Sequence, residues 1–391
     1  MGSFMQKRFA GYATLCRIGG CLFIQNFRKK SLAKARATWK SPYTIYSFLC
    51  FCFFFWFEVA FLAKKVHVLT IFSRHFTHSL LFILHATVTF RIFINFSVIV
   101  AGSGKLLDFF RKAAIFEKST GFSFPKRRRW PMPRRFLVLA SMVISYVLGV
   151  HLFIGEVVEA VPPQWFLVSK LCGYIAGSGF FLYDSLLFVV THCCTEVLVE
   201  YTHFQLLAFK DCDRTKGACS DLHASRQIEA IRLNLSSVRD LKNLLNDMWK
   251  WPLVAMCATM IFMPCVVLYS LFENGVYMRD IWVFLSYTVY SSLCFVEMTF
   301  VSQALSDELQ RLKDANRAVM TTDASAGYVQ QLRFLHETTE PVGMCLSGGG
   351  FFCLRKSLLV SMTASVITYT VILVQTSDDL AERNHVYDGF P

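Results

Sequence analysis

Charged residues are scarce in this chain. Only 17% of its 391 residues are Asp, Glu, Lys or Arg, whereas a soluble domain carries about 25%. Hydrophobic residues make up 54%, and phenylalanine alone contributes 39 residues. The mean hydropathy is +0.43. The shortage of charge excludes an ordinary soluble domain and predicts an integral membrane protein whose apolar surface faces lipid.

Several functional signals are also missing. No cleavable signal peptide is expected, because the first long apolar run begins near Thr44, behind a basic stretch. The sequence contains no paired carboxylates, nucleophile elbow or His-rich cluster, so an enzyme is not expected. The cysteines between 193 and 219 and His223 lack the spacing of metal ligands, so no metal or other cofactor is expected. The Ser-Gly-Gly-Gly run at 347–350 lacks the Lys-Ser/Thr pair of a phosphate loop and predicts a flexible break.

Seven apolar runs are long enough to cross a membrane, since a hydrocarbon core about 30 Å thick needs a helix of about 20 residues. They are predicted at 44–63, 76–101, 136–156, 171–195, 253–272, 281–301 and 357–375. The second run is the weakest, because His78, His85 and Arg91 oppose insertion. The expected fold class is an all-α membrane protein with seven transmembrane helices.

The distribution of Lys and Arg predicts that the amino terminus is cytoplasmic. With that orientation the inner segments hold 33 basic residues and the outer segments hold 6, with Arg91 inside a span. This is the positive-inside pattern. G-protein-coupled receptors have the opposite polarity, and their Asp-Arg-Tyr and Asn-Pro-x-x-Tyr motifs are missing from the third and seventh spans. Because the basic residues flank apolar spans, no nucleic-acid partner is expected.

This orientation divides the chain into alternating membrane and inner segments. No outer loop contains a cysteine, so free thiols and no disulfide framework are expected. The predicted order is a basic cytoplasmic segment at 1–43, spans one to four within 44–200, a cytosolic helical loop at 201–252, spans five and six at 253–301, a second cytosolic helical loop at 302–356, span seven at 357–375 and an extracellular tail at 376–391.

The two long inner loops contain helical patterns. Between Ile228 and Met248 apolar residues recur every three or four positions, which predicts an amphipathic helix with a buried stripe. That helix is expected to run into the fifth span with a bend at Pro252. Further helices are predicted at 302–319, continuing the sixth span, and at 328–337. Together they form an expected cytosolic helical anchor layer, although solvated extensions without a partner would give the same pattern.

The seventh span has a polar stripe along one helical face. Its members are Ser357, Ser361, Ser365, Thr368, Ile372 and Gln375. Two interpretations are open: the hydroxyls bond back to carbonyls of their own helix, or the stripe lines a water-filled lumen. A single helix cannot enclose a lumen, so the second interpretation requires several copies of the chain around an axis.

A short motif in this span resembles a known family. Thr368-Tyr369, five residues at 370–374 and then Gln375 resemble the Thr-Tyr, five apolar residues, Gln-Phe signature that ends the arthropod gustatory receptors. The sequence departs from the signature at Thr370, which is polar, and at Thr376, which replaces the final Phe. The chain length, the inverted orientation, the brief outer loops and the long inner helices are also similar to that family.

The resemblance implies a tetrameric, ligand-gated, non-selective cation channel of the plasma membrane, related to the insect odorant receptors. Four copies of the last span would surround the pore, as a homotetramer or with related subunits, and subunits would meet in the inner layer. Gln375 would lie near the constriction. Because Thr376 replaces the aromatic residue there, Ile372 is the expected apolar gate. The pore and gate residues are then Ser361, Ser365, Thr368, Ile372, Gln375 and Thr376.

The resemblance also implies a ligand pocket in the outer half of each subunit. The candidate residues there are Glu58, His85, His151, Tyr174, Ser178, Tyr183, Asp184, Tyr287 and Tyr290. Aromatic walls with few polar groups suit a small organic tastant, with an aromatic or weakly basic one favoured. Asp184 and Glu58 could instead pair internally with Arg91 or a histidine. Cations and membrane lipid are the other expected partners.

Two alternative functions share these features. An odorant-type subunit of the same superfamily has the same architecture. A secondary transporter would show internal repeats with broken helices, and no such repeat is visible.

Overall fold

A computed structural model describes residues 3–27, 32–71, 76–122, 132–158, 162–215, 221–272, 278–320 and 326–388. The α-helices in these ranges are α1 Phe4–Ile18, α2 Pro42–Ile71, α3 Phe76–Ala101, α4 Ser103–Thr120, α5 Met132–Val158, α6 Phe166–Thr215, α7 Asp221–Phe272, α8 Met278–Met320, α9 Ala326–Thr338 and α10 Lys356–Asp388. Two antiparallel hairpins pair β1 Ile24–Gln25 with β2 Arg36–Ala37, and β3 Ser347–Gly348 with β4 Phe352–Cys353. Short 3-10 turns lie at Leu32–Lys34, Pro163–Trp165 and Val342–Met344.

Each of the seven predicted spans lies inside one helix. The second predicted span has the same bounds as α3. The other six predicted spans lie within α2, α5, α6, α7, α8 and α10. Within the described ranges, six helices have apolar stretches long enough to cross a membrane, and α5 has a shorter one at Phe136–His151. The all-α membrane fold is therefore confirmed.

Three of these helices are far longer than a membrane is thick. α6, α7 and α8 have 50, 52 and 43 residues, so α7 is about 78 Å long at ~1.5 Å per residue. The predicted extensions of the fifth and sixth spans are real, and α9 matches the separate helix predicted at 328–337. α7 continues through Pro252, so this proline does not end the helix.

The part of the bundle that extends beyond the spans has its own apolar core. All seven members of the predicted stripe on α7 are buried: Ile228, Ile231, Leu235, Val238, Leu241, Leu245 and Met248. They face α4, α6 and α9 of the same chain. α4 was not predicted, although its buried Leu106, Phe109, Phe110, Ala113 and Phe116 follow helical spacing.

The glycine run before α10 forms an ordered hairpin, so the expectation of a flexible break is wrong. Gly349 and Gly350 turn the chain at φ +62° and +84°, in the left-handed region that glycine adopts without steric cost. Neighbouring segments hold the hairpin: the Leu346 amide donates to Ser302 Oγ at 2.9 Å, and the Ser347 amide donates to Asn246 Oδ1 at 3.3 Å. Helix α10 therefore begins from a fixed point on α7 and α8.

α10 continues past the predicted end of the seventh span. The helix reaches Asp388, so the predicted tail is helical over 376–388. Residues 389–391 lie outside the described part of the chain.

Candidate functional site

α10 lies on the surface of the subunit. Only 11% of its apolar stretch is buried, and it packs on α7 and α8. Between Lys356 and Thr376, the part of α10 whose side chains are described, Met362 and Thr370 are buried. Leu358, Leu359, Leu373 and Val374 pack partly buried beside them. One narrow face therefore attaches α10 to the bundle.

The predicted polar stripe points away from that attached face. Ser357, Ser361, Thr368, Ile372, Gln375 and Thr376 are exposed, and Ser365 is half-buried. Ile372 keeps 48% of its surface. Tyr369 of the family motif is 54% exposed, so it does not pack within the subunit. The stripe, the gate candidate and the motif tyrosine are all available to something outside this chain.

The stripe hydroxyls also bond to their own helix. Donation to the carbonyl four residues earlier occurs at Ser361 (3.3 Å), Ser365 (3.0 Å), Thr368 (3.0 Å) and Thr376 (2.8 Å). These bonds satisfy the hydroxyl protons in any apolar surrounding. These bonds are expected if the hydroxyls bond back to their own helix. The exposure of the stripe is expected if it lines a water-filled lumen.

A buried ionic network lies where two predicted ligand residues, Asp184 and Tyr287, meet. Arg91 on α3 donates to Asp184 Oδ1 on α6 at 2.5 Å and to Tyr287 Oη on α8 at 2.6 Å. Its other terminal nitrogen donates to Thr259 on α7 at 2.8 Å and to Ser291 on α8 at 3.1 Å. Arg91 is 3% exposed. One guanidinium thus connects four helices in the middle of the bundle.

A second buried pair connects α2 and α3. His85 Nε2 lies 3.2 Å from Glu58 Oε2, and Thr89 donates to the same oxygen at 3.3 Å. Glu58 is 1% exposed. Asp184 and Glu58 therefore pair with Arg91 and His85 within the subunit. This was the alternative to ligand contact that the sequence left open for the two carboxylates. Internal pairing lowers the cost of placing ionisable groups inside apolar spans.

Aromatic rings connect the two ionic pairs. The His85 ring lies 6.5 Å from Phe180 in a stacked arrangement, and Phe180 lies 5.7 Å from Tyr287. Tyr290 lies 6.0 Å from Tyr287. The predicted residues Glu58, His85, Asp184, Tyr287 and Tyr290 therefore belong to one continuous row.

The other four predicted ligand residues lie elsewhere. Tyr183 is buried, and its hydroxyl donates to Gly19 O at 2.8 Å. Ser178 is exposed beside the hydroxyl of Tyr146, and Tyr174 and His151 are exposed. Thr259 and Ser291 are members of the network that were not predicted. Isolated hydroxyls in apolar helices carry no distinguishing sequence signal.

The space beside the network is small. A cavity of about 10 Å³ lies against Arg91, Asp184, Tyr290 and Ser291, which holds one water molecule at most. Organic ligands occupy sites of about 300 Å³ or more. In this conformation, the described residues around the network leave no room for a tastant.

Comparison with known proteins places these features in a wider context. A family model described as "7tm Chemosensory receptor" matches residues 12–379. The fold is similar to that of the insect olfactory receptor OR5 from Machilis hrabei in complex with eugenol, with a TM-score of 0.70 and 12% identity over 95% of this chain and 98% of that one. A structure of OR5 titled without a ligand gives a TM-score of 0.69 and 13% identity with the same coverage. At such identity the likeness shows the fold alone.

Proposed function

Because the chain belongs to the 7tm chemosensory receptor family, we propose that it is a gustatory-type, ligand-gated, non-selective cation channel of the plasma membrane. The observation that carries this proposal is the exposed polar stripe on α10. The stripe hydroxyls bond to their own helix, but the exposed amide of Gln375 is costly beside lipid and inexpensive beside water, and the hydroxyl oxygens can still accept hydrogen bonds from water.

The stripe requires partners. Four copies of α10 around an axis would turn Ser361, Ser365, Thr368 and Gln375 toward a common lumen. Beside the stripe, Val360, Ile367 and Val371 are 73%, 60% and 50% exposed. This apolar flank suits the neighbouring copy or lipid. The proposed assembly is a tetramer, of this chain alone or with related subunits.

Ligand binding is proposed along the row between the two ionic pairs. An aromatic or weakly basic tastant would lie against Phe180 and Tyr287, with Asp184 and Glu58 as its polar contacts. The closed packing beside Arg91 requires these helices to separate before the ligand enters. A ligand that binds the separated arrangement more tightly shifts the population toward it, which is the energetic requirement for gating.

The gustatory type is favoured over the odorant type by the motif at Thr368, Tyr369 and Gln375. Thr376 departs from that motif, so an odorant-type subunit is the second candidate. Ligand-evoked current in cells that express this chain alone supports the first candidate. Current that appears only with a co-expressed partner supports the second.

Cysteine accessibility tests the pore. Ile372→Cys and Gln375→Cys should react with a small charged thiol reagent during ligand-evoked current, and the current should fall. Leu373→Cys is the matched control, because Leu373 packs partly buried on the bundle. Cys353 is exposed and is available to the reagent. The current of the unmodified chain must therefore first be shown to be unaffected by the reagent. Equal reaction at 372, 373 and 375 without an effect on current would remove α10 from the pore.

Particle images of the purified protein test the assembly independently. Fourfold symmetry with α10 at the axis is the expected result. A monomer would contradict the channel proposal whatever the reagent experiment shows.

A further inference from the structure

A larger cavity adjoins the row of predicted ligand residues at Tyr290. Its volume is about 450 Å³ and its walls come from α1, α5, α6 and α8. This volume is in the range of sites for small organic molecules. Most of the wall surface is apolar, including Val138, Met142 and Leu186. At the edge, Leu15 and Leu139 are 56% and 59% exposed, so the cavity opens beside apolar surface.

One end of this cavity is acidic. Glu297 on α8 and Glu196 on α6 line it, and each is 5% exposed. His192 Nε2 lies 3.5 Å from Glu297 and His192 Nδ1 lies 4.0 Å from Glu196. Arg8, whose side chain is 39% exposed, approaches Glu196 at 3.6 Å. Two buried carboxylates thus lie at this end of the cavity, with Arg8 and His192 beside them.

The pairing of Glu297 is incomplete. Among the described residues its ionic contact is His192 at 3.5 Å, which is longer than a normal N–H···O hydrogen bond. The facing His192 Nε2 is itself a buried atom without a hydrogen-bond partner. A carboxylate that is 95% buried needs charged hydrogen-bond donors, because burial without them is costly. Glu297 therefore lies in the cavity with capacity for a closer donor than His192.

We propose that this cavity binds an amphipathic amine, with its protonated nitrogen at Glu297 and its apolar body along α5 and α6. Two carboxylates disfavour an anion, and the apolar walls disfavour a small hydrated cation. No group of three or more His, Cys, Asp or Glu in the described part of the chain could hold a metal ion, so an organic cation is the matching ligand. The cavity shares Phe188 and Tyr290 with the small cavity beside Arg91, so its occupant lies one ring away from the Asp184 network.

Photolabelling tests this proposal by a binding readout that does not depend on ion conduction. The probe is octylamine carrying a diazirine on its chain, applied to the purified full chain in lipid nanodiscs. Labels mapped by mass spectrometry are expected at 138–142 and 186–189. Excess octylamine should prevent labelling, and excess octanol should not. Sphingosine supplied in the nanodisc tests whether a membrane amine, rather than one from water, occupies the site.

Variants then identify the acidic contact. Glu297→Gln should lower specific labelling about tenfold, the loss expected for one charge-assisted hydrogen bond. Glu308→Gln is the matched control, because Glu308 is also buried on α8 and does not line the cavity. If Glu297→Gln does not fold, Met142→Trp fills the apolar wall and should abolish labelling, whereas Phe136→Trp at an exposed site should not. Labelling that octanol prevents equally, or that neither Glu297→Gln nor Met142→Trp reduces, would overturn the proposal.

Discussion

α6 and α10 are both apolar enough to cross a membrane, but their positions in the subunit are opposite. The apolar stretch of α10 has a mean hydropathy of 2.0 and is 11% buried, whereas that of α6 has a mean hydropathy of 1.5 and is 78% buried. The more hydrophobic helix is thus the more peripheral one. Hydropathy reports whether a helix enters the bilayer, and it does not report whether that helix is central in the protein.

The difference follows from how each helix satisfies its polar groups. On α6, Asp184 pairs with Arg91 of α3 and Glu196 lies beside Arg8 of α1, so these groups depend on other helices. On α10, Ser365 and Thr368 bond to carbonyls of the same helix. Polar changes on α6 should therefore affect folding, while polar changes on α10 should affect conduction.

The largest effect is expected from breaking the buried ion pair on α6. Asp184→Leu leaves Arg91 charged and unpaired, which costs about 3–5 kcal/mol. The thermal unfolding temperature of the purified protein should fall strongly. Replacing Arg91 and Asp184 together by Leu should recover much of the loss, because no uncompensated charge remains. A single variant as stable as the unmodified chain would show that the pair does not hold α6 in place.

A similarly large effect is expected in the inner core on α7. Replacing Leu235 and Val238 together by Asp buries two unpaired charges, at several kcal/mol. The tetramer band on a native gel should weaken, and the inner helices should become sensitive to protease. Leu233→Asp is the control on the same helix, since Leu233 is 54% exposed. Unchanged assembly in the double variant would mean that this core does not support subunit contact.

A functional effect with little change in stability is expected on α10. Ile372→Ser makes a proposed apolar ring wettable and should raise the current without ligand, while unfolding changes by less than about 0.5 kcal/mol. Ile367→Ser is the control, because Ile367 is also exposed but lies outside the polar stripe. Equal basal current in both variants would argue against a gate at Ile372.

The smallest effect is expected for glycosylation, which should not occur at Asn234. Asn234-Leu235-Ser236 matches the pattern of a glycosylation acceptor, yet the distribution of basic residues predicts that it is cytoplasmic. Its side chain already donates to Gln205 Oε1 at 3.1 Å. Glycosidase treatment should leave the mass unchanged, whereas an acceptor added after Pro391 should be modified. A glycan on Asn234 would show that this segment is on the outer side and would contradict the predicted orientation.

What the sequence predicts well is what depends on spacing along one helix. The spans, the inner stripe from Ile228 to Met248 and the polar stripe of α10 were all visible as local patterns. For Asp184 the sequence left a ligand, Arg91 and a histidine as alternative partners, because Arg91 is 93 positions away and a single sequence does not reveal which distant groups meet. Tyr174 was placed in the right helix but faces outward, since the rotation of α6 is set by tertiary packing.

The bonds within α10 have a consequence for the kind of ion that such a helix can accompany. Ser361, Ser365, Thr368 and Thr376 each donate their single hydroxyl proton to a backbone carbonyl, so what remains directed outward is oxygen lone pairs. These hydroxyls accept hydrogen bonds and offer none, so the Gln375 amide is the donor that remains among the proposed lumen residues. The hydroxyl oxygens can replace part of the water shell of a positive ion, and they have no proton to give a negative one. Charge preference could thus arise along α10 from the direction in which four hydroxyl protons point, without a single acidic side chain in the wall.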